Sequence, residues 1–86
     1  FSLKDISYMN TLDKVKIGSD CIIHKVSGER PIKRRLMDMG LIPGTRVHVR
    51  KLAPLGDPME IMVKGIELTL RKADAFNIIV EEVAEE

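Results

Sequence analysis

At 86 residues with 44% hydrophobic and 31% charged side chains, the chain is the size of one domain and too apolar for a disordered one. Its net charge of +1 is far from the strongly basic balance of a dedicated nucleic-acid binder, and no apolar run approaches the roughly 20 residues that span a bilayer. With no charged start followed by an apolar block and a single cysteine, Cys21, the expectation is a cytoplasmic fold held by packing and not by a disulfide.

The first ten residues, opening on Phe1, are read as an N-terminal extension or cloning remnant without function. Thr11 can cap a short turn over Leu12 to Val15, and Gly18 releases the chain into a strand, Cys21-Ile22-Ile23-His24-Lys25-Val26. After a polar connector, Pro31 stands where its missing N–H costs nothing, so a helix is predicted over about 31–39. Ile32, Leu36 and Met39 form its apolar stripe, while Lys33, Arg34, Met37 and Asp38 turn outward. Gly40 ends the helix as a left-handed cap, and Pro43 and Gly44 make the next turn.

From Thr45 the period becomes two, with Val47 and Val49 on one face and Arg46, His48 and Arg50 on the other. Leu52-Ala53-Pro54-Leu55-Gly56-Asp57-Pro58 follows as a loop stiffened by two prolines. Met59, Ile61 and Val63, then Ile66, Leu68 and Leu70, read as the two arms of a hairpin closed at Lys64-Gly65. A short helix over about 71–77 would cover an open barrel end with Ala73 and Phe76, and Ile78-Ile79-Val80 is a last strand. The domain is expected over 11–81, with 82–86 as a solvated acidic tail. The fold class is mainly β: a small, partly open SH3-like barrel of five or so strands with one inserted helix, an α+β sandwich being the alternative.

No catalytic arrangement is legible. The serines and threonines have no evident histidine and carboxylate partners, there is no phosphate-cradling glycine loop, and no cofactor is expected. Cys21 and His24 stand at a ligand-like spacing, yet residues three apart on a strand point to opposite faces. His48, with Glu60 across a strand, is the better exposed candidate, and His24 and His48 remain weak metal ligands, too few to complete a site in one chain. Arg35, at the margin of the apolar stripe, can pair internally, and Asp57 is expected to stabilise its own turn. Leu55 is either held out by its proline-bounded loop or folded back over the barrel. Lys33, Arg34, Met37, Leu55 and Met59 are the expected partner-binding residues, because adaptable methionine beside a basic helix and a stiff loop makes good contact surface.

Taken in order, Arg34-Arg35-Leu36-Met37-Asp38-Met39-Gly40-Leu41, Pro43-Gly44-Thr45, Ala53-Pro54-Leu55-Gly56-Asp57-Pro58 and Gly65-Ile66-Glu67-Leu68-Thr69-Leu70-Arg71 resemble the FeoA family of ferrous iron transport accessory proteins, from about Leu12 to Val80. The resemblance implies a small cytoplasmic SH3-like protein that touches the cytosolic GTP-binding region of the membrane transporter FeoB. From the near-neutral charge and the lack of a long apolar run, neither nucleic-acid binding nor membrane insertion is expected. The family extends to the SH3-like C-terminal domains of iron-dependent repressors. Two rival readings stay open: nucleic-acid binding through Lys33, Arg34, Arg46 and Arg50, and a metal sensor using His48 or His24 between subunits. Exposed strand edges could also pair copies of the chain into a homo-oligomer.

Overall fold

The computed structural model describes residues 7–83. Six strands, β1 (Ser7–Thr11), β2 (Asp20–Val26), β3 (Arg46–Leu52), β4 (Met59–Val63), β5 (Ile66–Leu70) and β6 (Ile78–Val83), form one antiparallel sheet in the order β1-β6-β2-β3-β4-β5. Two helices, α1 (Arg30–Asp38) and α2 (Lys72–Ala75), and a 3₁₀ turn at Leu12–Lys14 complete the described residues. The mainly β, SH3-like architecture is the one expected, with one strand more.

That extra strand is β1. Residues 7–10, read from the sequence as extension, pair with β6 in a register running from Ser7 opposite Val83 to Thr11 opposite Ile79. Residues 1–6, and the 84–86 part of the acidic tail, lie outside the described residues. Glu82 is not tail either: β6 continues through it, its side chain is buried, and Asn10 Nδ2 donates to its Oε2 at 2.9 Å.

The alternation in β3 and β4 behaves as predicted, burying Val47, Val49, Met59, Ile61 and Val63. The β4–β5 connection has both Lys64 (φ 53°) and Gly65 (φ 81°) in the left-handed region between paired Val63 and Ile66, the two-residue turn whose twist matches that of the strands it joins. Register shifts at His24 on β2 and at Arg50 on β3 insert single extra residues. Such bulges bend and twist a strand, which lets one sheet curl over its own apolar face. Side chains from β2, β3, β4 and β6 line that face with Leu12, Leu36, Leu41 and Ala75.

Helix α1 departs from its predicted stripe. Ile32 and Leu36 face inward as expected, but Met37 also packs against the core while Met39 is left exposed. The cause is the way the helix stops. Gly40 (φ 97°) takes the left-handed position, its N–H reaches Met37 O at 3.0 Å, and Leu41 N–H reaches Leu36 O at 3.2 Å. This double closure swings Leu41 onto Leu36, both fully buried, so Leu41 occupies the core in place of Met39. Helix α2 is also shorter than predicted, and Ala75 is its buried residue, whereas Ala73 and Phe76 are exposed and do not cover the barrel end.

A Cβ at Gly40 would meet nothing within 4 Å, so Gly40→Ala tests backbone strain without a clash. Urea unfolding should show a loss of about 1 kcal/mol with an unchanged slope.

Candidate partner-binding surface

The loop between β3 and β4 is tied at three points. Ala53 N–H donates to Pro58 O at 2.9 Å, Gly56 N–H donates to Ala53 O at 2.7 Å, and Lys72 N–H donates to Asp57 Oδ1 at 3.0 Å. The third tie corrects the expectation for Asp57: its carboxylate serves the first residue of α2, fifteen positions on, and not its own turn. At Gly56 the left-handed backbone (φ 82°) favours glycine, while a Cβ there would meet only the flexible end of Lys72, its Nζ 3.3 Å away. The tip residue, Leu55, is 96% exposed, which decides between the two arrangements open in the sequence: it is held out.

Helix α2 also meets α1. Arg35 donates from a guanidinium nitrogen to Asp74 Oδ1 at 2.7 Å, the internal pairing expected of Arg35. The four-residue α2 thus touches the Leu55 loop through Lys72 and the basic helix through Asp74. On the other side of α1, Arg30, Lys33, Arg34, Met37 and Asp38 line a shallow groove.

Of the expected partner-binding residues, Lys33 and Arg34 are exposed and Leu55 fully presented. Met37 is half-buried, one side on the core and one side in the groove. Met59 is corrected: it is fully buried between Leu52 and Leu70, its cross-strand neighbours, because the alternation of β4 turns it inward. A partner cannot reach it in the folded chain.

Neither weak metal candidate belongs to a group of three possible ligands among the described residues. His24 occupies the β2 bulge and is exposed, while Cys21, three residues before it, points into the core. His48 Nδ1 lies 2.7 Å from Asp20 Oδ1, and Met62, not Glu60, stands opposite it. Glu60 is opposite Lys51, whose Nζ is 3.5 Å from its carboxylate. Among the described residues no group of three His, Cys, Asp or Glu side chains is disposed to hold a metal ion. The arginines of the nucleic-acid reading are engaged on the outer face: Arg46 with Asp20 Oδ2 at 2.7 Å and Arg50 with Glu67 at 3.1 Å.

Two groups are shifted. Hydrogen bonds from Arg46 and His48 hold the Asp20 carboxyl below its ordinary value, against a smaller desolvation effect. Burial, with the nearby Glu82 and Asp20 charges, pushes the Cys21 thiol up to about 12. Its Sγ–H is directed at Val47 O at 3.7 Å.

A curled antiparallel sheet plugged by short helices defines an SH3-like module. The FeoA domain model matches residues 10–82, and the chain belongs to the FeoA family. It is 31% identical over 70 residues to the Fe(2+) transport protein A/Fe(2+) transporter FeoB fusion protein of Porphyromonas gingivalis (strain ATCC BAA-308 / W83), a match covering 81% of this chain and only 8% of that protein. The FeoA-like protein from Clostridium acetobutylicum superposes with a TM-score of 0.84 at 35% identity, covering 91% of each chain. The fold alone is shared with IdeR of T. acidophilum, at TM-score 0.75 and 21% identity over 88% of this chain and 34% of that chain. Among the described residues no helix is long and apolar enough to cross a membrane.

A thiol this poorly ionised should resist disulfide-exchange reagents: at about pH 8 Cys21 of the folded protein should react orders of magnitude more slowly than in urea, measured by absorbance of the released thiolate. Because the Asp20 value is lowered, its contribution to stability is present above the unfolded value near 3.8 and lost as pH falls through the folded value. Asp20→Asn should therefore destabilise at neutral pH, by no more than about 1 kcal/mol at so exposed a site, and the difference should shrink in urea titrations as pH falls below the ordinary value of 3.8.

Proposed function

We propose that the chain is an accessory module of ferrous iron uptake that docks on the cytosolic GTP-binding region of a FeoB-type transporter, at the inner face of the membrane, and modulates it. Family membership and the fused arrangement in the Porphyromonas gingivalis relative support this reading. The observation that carries it is Leu55, 96% exposed on a loop tied at three points.

A large apolar side chain left in water gains little for the fold. Held rigidly, it suits insertion into a pocket, because the loop has little conformational freedom left to lose on association. Lys33 and Arg34, with Met37 in the groove between them and Asp38, extend the contact onto α1. The roles required are those of shape and charge, which is why the reading is of a binding module and not of an enzyme.

Co-purification with the soluble GTP-binding part of a FeoB-type transporter tests it directly. Wild-type protein should be retained, and Leu55→Asp should bind about tenfold more weakly or worse with an unchanged circular dichroism spectrum, since the side chain touches little of its own fold. Failure of wild-type protein to associate, with the soluble part and with the intact transporter alike, would remove the proposal.

A further inference from the structure

The cations of α1 are arranged against the stability of their own helix. Arg30, Lys33 and Arg34 fall at i, i+3 and i+4, so they lie side by side on one face, where like charges repel. Arg30 is the first helical residue, the first turn contains no acidic side chain, and Glu29 at the N-cap makes no side-chain capping hydrogen bond. Arg35, one position further round, has found Asp74. Arg30, Lys33 and Arg34 have neither an ion pair nor a hydrogen-bonded side-chain partner among the described residues. Met37 continues the same stripe at i+7, so the groove is a row of three cations ending on an apolar side chain, with the Asp38 carboxylate at its far rim.

Resting on the docking reading above, we infer that this stripe is the seat of an acidic surface of the protein partner: carboxylates facing Arg30, Lys33 and Arg34, and an apolar side chain over Met37. Charge complementarity selects the occupant. Glu29 and Asp38, at the two ends of the row, offset part of the repulsion among the three cations; carboxylates brought to them would relieve the rest, and a thioether beside the cations asks for an apolar group in the same ligand. A bare anionic lipid surface would satisfy the charges and leave the groove at Met37 unused. Arg30, which the sequence pattern leaves in a connector, belongs to the site by this argument.

Binding of the wild-type chain to the soluble GTP-binding part of a FeoB-type transporter should weaken progressively with added salt. Arg30→Glu/Arg34→Glu should weaken it roughly tenfold, and the milder Arg30→Gln/Arg34→Gln by a smaller factor, while Lys16→Glu, an exposed control away from the groove, should leave it unchanged. The glutamine double variant should not have a lower melting temperature than wild type, because it removes the repulsion among the cations without adding a like-charge pair, whereas glutamates at 30 and 34 would repel each other and Asp38. A lower melting temperature in the glutamine double variant would mark the cations as structural and overturn the inference. Salt-independent binding that Leu55→Asp weakens and the double variants do not would overturn it while leaving the docking reading in place. An equal loss in Lys16→Glu would reduce the effect to overall charge and overturn it too. Binding of wild type to phosphatidylglycerol vesicles that the double variants lose, with transporter association unaffected, would assign the stripe to lipid instead. No association of wild type with the transporter would remove both readings together.

Discussion

One apolar face, with no second sheet among the described residues to pack against it, is the constraint on which this structure depends. A flat six-stranded sheet of this size would leave Val47, Val49, Ile61 and Val80 in water; all four are fully buried because the sheet curls and its ends are plugged. Each fully buried side chain of this kind contributes about 1.5–3 kcal/mol relative to exposure, far more than any exposed ion pair seen here. The bulges at His24 and Arg50, the left-handed turn at Lys64-Gly65 and the double closure after α1 all serve that curl. Leu36 and Leu41 fill it from one side, and Leu12 and Ala75 from another.

Curling has a consequence for the surface. Helices that plug a barrel spend one face on the core and must present the other, and α1 presents its cations and the outer side of Met37. Helix α2 is too short to be stable alone, so its place is set by what it touches: Ala75 inward, Asp74 to Arg35, and Lys72 N–H to Asp57. The Arg35–Asp74 pair is largely exposed on the arginine side and adds little stability. Its effect is positional, since it and the Asp57 contact attach the basic helix and the Leu55 loop to one small element.

The same economy explains why the histidines do not assemble a ligand set. Alternation on β2 sends Cys21 inward and His24 outward, and the register of β3 with its neighbours puts Asp20 on one side of His48 and Met62 on the other. Asp20 is engaged by both His48 and Arg46, so the outer face is knitted by charge pairs between adjacent strands. Arg46 is thus engaged within the scaffold, whereas Arg30, Lys33 and Arg34 have no ion pair among the described residues.

Patterns confined to neighbouring residues were legible in the chain alone. Period-two alternation marked β3, β4 and their inward sets, glycine after a lysine marked the hairpin turn, proline and glycine bounded α1, and two prolines marked the loop that carries Leu55. These are local effects, decided by backbone sterics and by the face a residue takes within its own element. What depended on distant partners was not legible. Strand β1 has no alternation and exists because β6 pairs with it, as the Asn10–Glu82 bond across 72 positions shows. Met39 and Met37 exchanged expected exposures because Leu41 folded back onto Leu36, Met59 was lost to the core, and Asp57 and Asp74 acquired their roles only when α2 arrived beside them. Tertiary structure decided these because burial and pairing reward the assembled surface, which no single window of the chain contains.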